Sequence, residues 1–235
     1  MRALVTGGTR GIGLAVVERL SRDGYQVWGT GRSEEAPATL AALGVAYLQA
    51  DFGDPSDMDK LCDQVAALGI DVVVNSAGIN RVAPLLELSA EDFNLVFAVN
   101  VQSAFRLCQA TIPSMLAEGY GRICNVSSIW GMKGSSGRAA YSTSKFALRG
   151  LTVAIAAEFS NAGVLANCIA PGFVDTDLTR SVLGVDGIAR VAQQVPVGRL
   201  GTPAEIADAI AWMISPANTY MTGQTVTIDG GFLGA

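Results

Sequence analysis

A short apolar run, RALVTGG at residues 2–8, ends in glycines and leads at once into GIGLAVVERLSRDG at 11–24, an amphipathic stretch stopped by Gly24. That succession repeats along the chain. QVWGTG (26–31) and VAYLQAD (45–51) predict a second and a third strand with a short helix between them. The helix PSDMDKLCDQVAALG (55–69) precedes a fourth strand, IDVVVNSAG (70–78). A long helical stretch from about Ala90 to Glu118 leads to RICNVSS (122–128), and a helix around Tyr141 leads to VLANCIAPG (164–172). Finally PAEIADAIAWMIS (203–215) precedes QTVTIDGG (224–231). The early strands are almost wholly apolar, as strands are when a parallel sheet is covered on both faces. No linker, repeat or low-complexity segment interrupts the order. The expectation is an α/β fold: one doubly wound domain over residues 1–235, with a seven-stranded parallel sheet.

Composition narrows what such a domain can do. Of the 235 residues 50% are hydrophobic and only 16% charged, which rules out disorder. The net charge of −5 argues against nucleic acid or an anionic membrane as the main partner. Met1 and Arg2 lead straight into ALVTGG, and no apolar run approaches ~20 residues, so neither a signal peptide nor a membrane span is expected. Cys62, Cys108, Cys124 and Cys168 are far apart and form no C-x-x-C pair. They read as reduced core thiols of a cytoplasmic protein, with no metal site. The chain contains no histidine, so acid–base chemistry has to come from Tyr, Lys or carboxylates.

Two stretches carry chemistry. TGGTRGIG, Thr6 to Gly13, lies between the first strand and the first helix, where a dinucleotide fingerprint belongs, and makes the domain Rossmann-type. Its spacing is Gly7-x-x-x-Gly11-x-Gly13. Glycines there let backbone N–H groups approach a pyrophosphate, and the helix N-terminus favours the negative charge. A tight turn with close helix–strand packing is the plainer alternative. The second stretch is AAYSTSKFAL (139–148), in which Tyr141 precedes Lys145 by one helical turn. An ammonium held near a phenol favours the phenolate and is expected to lower the tyrosine pKa. Moving it from ~10 to ~7 requires roughly 4 kcal/mol of preferential phenolate stabilisation. A packed Tyr with a solvated Lys would give the same letters.

In these motifs the chain resembles the short-chain dehydrogenase/reductase family, most of all its 3-oxoacyl-carrier-protein reductase-like branch. TGGTRGIG is similar to the family's T-G-x-x-x-G-x-G, NSAG (75–78) to its N-N-A-G with Ser76 in place of the second Asn, and YSTSK to Y-x-x-x-K. Ser128 in NVSSIWG and Asn100 in VFAVN stand where the family has its catalytic Ser and Asn, and APGFVDT (170–176) resembles its P-G-x-[VI]-x-T segment. The resemblance implies a catalytic set of Asn100, Ser128, Tyr141 and Lys145. Tyr141 would exchange a proton with the substrate oxygen, and Ser128 would hydrogen-bond the same oxygen. Lys145 would tune Tyr141 and bind the nicotinamide ribose, and Asn100 would hold a water for proton resupply. Read alone, Asn100 could cap a helix turn and Ser128 could end a strand. A nucleotide would lie against Gly7, Thr9, Arg10, Gly11, Ile12 and Gly13, against Asn75, Ala77 and Gly78, and against Pro171, Gly172, Val174 and Thr176. Tyr141, Lys145 and Phe52 would touch it too, with Asp51 at the adenine amino group.

At the end of the second strand, where an NAD-selective fold carries Asp or Glu, WGTGRSEE places Gly31, then Arg32 and Ser33. A guanidinium and a hydroxyl suit a 2′-phosphate, and Arg10 could reach it from the loop. NADP(H) is therefore favoured over NAD(H), although a solvated Arg32 and an Arg10 packed along the loop remain the alternatives. Glu34 and Glu35 read as the start of the next helix. Specificity is expected in residues 173–201, a mobile lid of mixed character, with Trp130 and Met132 either lining the pocket or packing in the core. The expected function is NADPH-dependent reduction of a ketone, 3-oxoacyl-like or another small carbonyl, to a secondary alcohol. NAD-dependent oxidation of a polyol, sugar or secondary alcohol is the runner-up, and a non-catalytic dinucleotide sensor stands further back. An acidic carrier would need a basic patch, and Arg106, Arg122, Arg138 and Arg149 do not cluster in sequence. The resemblance also implies a homotetramer, paired through the helices at about 90–118 and 141–162 and through the last helix and strand.

Overall fold

The computed structural model describes residues 1–234. Its first half runs β1 (Arg2–Val5), α1 (Gly11–Arg22), β2 (Gln26–Gly31), α2 (Ala38–Ala42), β3 (Ala46–Gln49), α3 (Pro55–Leu68) and β4 (Val72–Asn75). Next come α4 (Ala90–Phe97), α5 (Ser103–Glu118), β5 (Gly121–Val126), α6 (Ala139–Phe159), β6 (Val164–Pro171), α7 (Asp177–Gln194), α8 (Pro203–Met213) and β7 (Thr225–Ile228). The strands form one parallel sheet in the order β3-β2-β1-β4-β5-β6-β7. All seven expected strands are present, most of them shorter than their apolar runs. The glycine-rich ends peel away from the sheet as loops.

The strand period explains the two cores. In β1, Ala3 and Val5 face one side with Val16, Val17 and Leu20 of α1 and Ile206 and Ile210 of α8. Leu4 faces the other, with Leu61 and Val65 of α3, Leu107 and Ile112 of α5 and Ile155 of α6. Every residue of β4, β5 and β6 is buried, as a sheet covered on both faces requires. The chain builds outward from β1 to β3 and returns to β4, so β1 and β4 are neighbours whose following loops diverge. A ligand crevice forms at the carboxyl ends of strands at such a switch point.

Three segments differ from the sequence expectation. Glu34 and Glu35 lie in an exposed bend, and the next helix begins only at Ala38, after Pro37. The stretch expected as one helix over 90–118 contains a π-helical turn, Ala98–Gln102, in which Ser103 N donates to Ala98 O. By length and composition Ala90–Glu118 could cross a bilayer, with an 18-residue window of mean hydropathy 1.2. Here its apolar face packs on the sheet through Leu107, Cys108, Ile112 and Met115. The expected lid contains α7, which Thr176 caps and Gly184 kinks at φ 64°. The four cysteines are free thiols, three of them buried.

Candidate active site

The glycine loop is shaped by what its glycines lack. Gly7 and Gly11 have φ of 64° and 55°, the left-handed region that disfavours a side chain. A Cβ on Gly13 would overlap the Gly7 carbonyl oxygen, and one on Gly7 would come 3.0 Å from Ala77 Cα. Two threonines that the sequence reading passed over fix the loop. Thr6 Oγ1 accepts from Ser76 N and Ala77 N at 2.9 and 3.0 Å, and Thr30 Oγ1 accepts from Gly7 N at 3.2 Å. A polar residue at the end of a buried strand was the only available signal for either. Helix α1 starts with no side-chain cap and no acidic residue in its first turn. Its first N–H groups therefore remain available to an anion, and the loop fits a dinucleotide pyrophosphate.

Opposite the loop, a Cβ on Gly11 would meet Thr176 Cγ2 at 3.4 Å, so residues 172–176 form the facing wall. Pro171 closes β6 beside Ile228, and Val174 is buried and bridges to Gly201. Past β2, Tyr47 Oη donates to Ser33 O at 2.6 Å and Gln49 Nε2 to Arg32 O at 3.3 Å. These bonds hold the backbone while the side chains of Arg32 and Ser33 stay exposed. A Cβ on Gly31 would sit 2.6 Å from Thr9 Cγ2 and 2.9 Å from Tyr47 Oη, which leaves little room for the carboxylate an NAD-selective strand carries. Asp51 Oδ1 accepts from Gly53 N at 2.9 Å, and Ile12 and Phe52 turn their side chains into the two cores. Asn75 also turns inward. Strand alternation puts it on the α5 face, where Nδ2 donates to Asn125 Oδ1 at 2.8 Å. Only the backbone of Phe52 and Asn75 can face a nucleotide.

The reaction corner lies at the carboxyl end of β5. Ser128 follows the strand and accepts from Trp130 N at 3.2 Å. Its hydroxyl is close enough to the Tyr141 phenol to favour the phenolate. Lys145 is buried one turn along α6, with Nζ donating to Val126 O at 2.8 Å. A Cβ on Gly78 would meet Asn100 Oδ1 and Lys145 Nζ, both at 3.4 Å, so those groups border the same space. Asn100 Oδ1 accepts from Ile79 N at 2.8 Å, and Nδ2 donates to Ile79 O at 3.0 Å and Ser144 Oγ at 2.9 Å. Ser144 in turn donates to Tyr141 O at 2.7 Å. The four expected catalytic residues therefore meet in one place.

For two of them the structure adds contacts that the sequence does not display. The Asn100 amide has both donors and one acceptor position committed to Ile79 and Ser144, so its side chain clamps the start of α6 to the Ile79 loop. Burial raises the Tyr141 pKa. Ser128 and then Arg138 oppose that rise, and Lys145 does not figure in it. The cause is placement. Lys145 Nζ is bonded to Val126 O and lies 5.5 Å from the centre of the Tyr141 ring, while burial pushes the ammonium pKa down to about 8.

A wall of aromatic rings adjoins Ser128. Trp130 packs edge-on against Phe173 and Phe232 at 6.0 and 6.2 Å between centroids, and the two Phe rings are 5.1 Å apart. Phe232 returns from the C-terminus, beyond the reach of local pattern reading. The arginines do not form a patch. Arg106 pairs with Asp59, Arg122 is buried against the carbonyls of Gly121, Gly163 and Asn218, and Arg149 donates to Gly131 O.

Over residues 7–233 the chain matches the family described as enoyl-(acyl carrier protein) reductase. It is 38% identical over 234 residues to the 3-oxoacyl-(acyl-carrier-protein) reductase of Escherichia coli, covering 97% of this chain and 96% of that one. Among solved structures, a putative NAD(P)-dependent gluconate 5-dehydrogenase from Beutenbergia cavernae with bound NADP superposes with a TM-score of 0.95. It is 33% identical and the match covers 100% and 97% of the two chains. A putative 2-deoxy-D-gluconate 3-dehydrogenase from Agrobacterium tumefaciens with bound NADP gives 0.91 at 32% identity, covering 100% and 96%. With the parallel sheet, the glycine loop and the Ser128, Tyr141 and Lys145 corner in place, the chain belongs to the short-chain dehydrogenase/reductase family of NAD(P)-dependent oxidoreductases.

Proposed function

We propose that the protein reduces a ketone to a secondary alcohol with NADPH, and that Tyr141 is the proton donor. The observation that carries this reading is the convergence of Ser128, Tyr141 and Lys145 beside a loop that only glycines can form. When bound, the reduced nicotinamide supplies the hydride. The residues do the rest. Tyr141 holds a proton at Oη and gives it to the carbonyl oxygen as negative charge develops there. Because burial favours the neutral phenol, the donor is loaded at neutral pH. Ser128 Oγ orients the same oxygen. Asn100 and Ser144 fix the start of α6 against the Ile79 loop, which sets where the phenol points.

NADP(H) is favoured by Arg10 and Arg32. Both are exposed at the rim of the cleft and neither has an acidic partner among the described residues. A second reading, oxidation of a sugar acid or polyol, draws on the two solved relatives titled as gluconate-type dehydrogenases. Initial rates with ketones and alcohols, each with both phosphorylated and unphosphorylated nucleotides, decide between them. Carbonyl reduction with NADPH supports the proposal; alcohol oxidation with NAD alone contradicts it. The same reading carries a homotetramer. Phe105 on α5, Phe146 and Val153 on α6 and Trp212 on α8 are exposed apolar side chains on the helices expected to pair. Light scattering at micromolar concentration is expected to give a tetramer mass, and a monomer contradicts it.

A further inference from the structure

Arg138 has no part in the chemistry described so far, yet it stands beside it. It is the N-cap residue of α6, at φ −121° and ψ 21°, and its carbonyl accepts from Ser142 N at 2.7 Å. Gly137, at φ 70°, turns the chain just before it, and Ala83 N donates to the Gly137 carbonyl at 3.2 Å. The turn is thus pinned to the loop after β4, and Arg138 lies three residues ahead of Tyr141 on the same edge of the helix. Its guanidinium is half-buried and close enough to the phenol for each to shift the other's titration. Among the described residues no Asp or Glu pairs with it and its side chain makes no hydrogen bond.

A partly desolvated cation without a counter-ion is costly, and beside a reacting group it is suited to an anion brought in from outside. Arginine presents a planar fork that fits a carboxylate with two parallel hydrogen bonds. Because Arg138 stands one helical turn from the phenol that meets the reacting oxygen, the anion it takes belongs to a short substrate. A phosphate on the long arm of a carrier would lie much farther away.

Resting on the ketoreductase reading above, we propose that Arg138 is the specificity residue of this site and takes the carboxylate of a short oxo acid, or of the matching hydroxy acid. The test compares acetoacetate and levulinate with their methyl esters, using the full chain, NADPH and fixed salt. Wild-type protein is expected to prefer the acids in kcat/KM. In Arg138→Gln the acid-to-ester ratio is expected to fall on the order of 10- to 100-fold, chiefly through KM. Arg138→Lys is expected to recover part of it, because the charge is kept and only the fork is lost. Any effect of Arg138 on the proton donor acts on acid and ester alike and cancels in the ratio. Equal or better turnover of the esters by the wild type, or an unchanged ratio in Arg138→Gln, overturns the proposal. Absence of turnover on every carbonyl, charged or not, contradicts the reductase reading itself and this inference with it.

Discussion

The nucleotide loop and the reaction corner are both built at the carboxyl ends of neighbouring strands, yet by opposite means. Around Gly7–Gly13 the shape comes from missing side chains, and two threonine hydroxyls and backbone amides do the holding. Around Tyr141 the shape comes from buried polar side chains whose hydrogen bonds are already committed: Asn100 to Ile79 and Ser144, Lys145 to Val126, Asn125 to Thr152. One region leaves room for a ligand that carries its own charge. The other, in the function proposed above, fixes where a single proton sits. Damage to the first should therefore appear in binding, and damage to the second in turnover.

The largest effect that would break this contrast is expected at Gly13. In Gly13→Ala the new methyl overlaps the Gly7 carbonyl oxygen, so the loop has to move. NADPH affinity should fall by on the order of 100-fold or more, with a lowered melting temperature; calorimetric titration reads the first and a thermal unfolding scan the second. An affinity within a few-fold of wild type would show that the loop is not the cradle. A smaller and more selective effect belongs to Arg32. A charge-assisted contact to a 2′-phosphate is worth roughly 1.5–3 kcal/mol, so Arg32→Ala should weaken NADPH about 10- to 100-fold and leave NADH almost unchanged. Arg10→Ala should weaken NADPH less, since the loop backbone still holds the pyrophosphate. Equal weakening of both nucleotides would contradict the phosphate assignment.

The smallest effect sharpens the reaction side. Reduction needs the protonated phenol, and burial raises the Tyr141 pKa, so the rate should hold through neutral pH and fade only as pH climbs through that raised value. Oxidation needs the phenolate and should rise over the same alkaline range. A reduction rate already falling near ~7 would restore the lysine-lowered phenol that the sequence suggested.

The contact that Lys145 makes marks the limit of what the sequence displays. The alternation of apolar runs and amphipathic helices gave the succession of strands and helices along the chain, and the glycine spacing gave the tight loop after β1, because both depend on residue type alone. The i, i+4 spacing of Tyr141 and Lys145 was equally legible, but not the acceptor that Lys145 would choose. Val126 O wins because β5 ends directly opposite that turn of α6, a tertiary fact with no local signature. Asn75 reads as a ligand residue from its motif, yet strand alternation sends its side chain to Asn125. The clamp at Asn100 depends on a π-helical turn that no residue in AVNVQ announces. Phe232 reaches the Trp130 wall from the far end of the chain.

The division between the two regions is tested most directly by Tyr141→Phe. The ring fills the same space and only the hydroxyl is lost, so NADPH titration and steady-state turnover should separate completely. The account predicts a dissociation constant within about two-fold of wild type, alongside a loss of turnover on the order of 10³-fold or more. Turnover close to wild type, or a loss of NADPH binding that parallels the loss of rate, would contradict it.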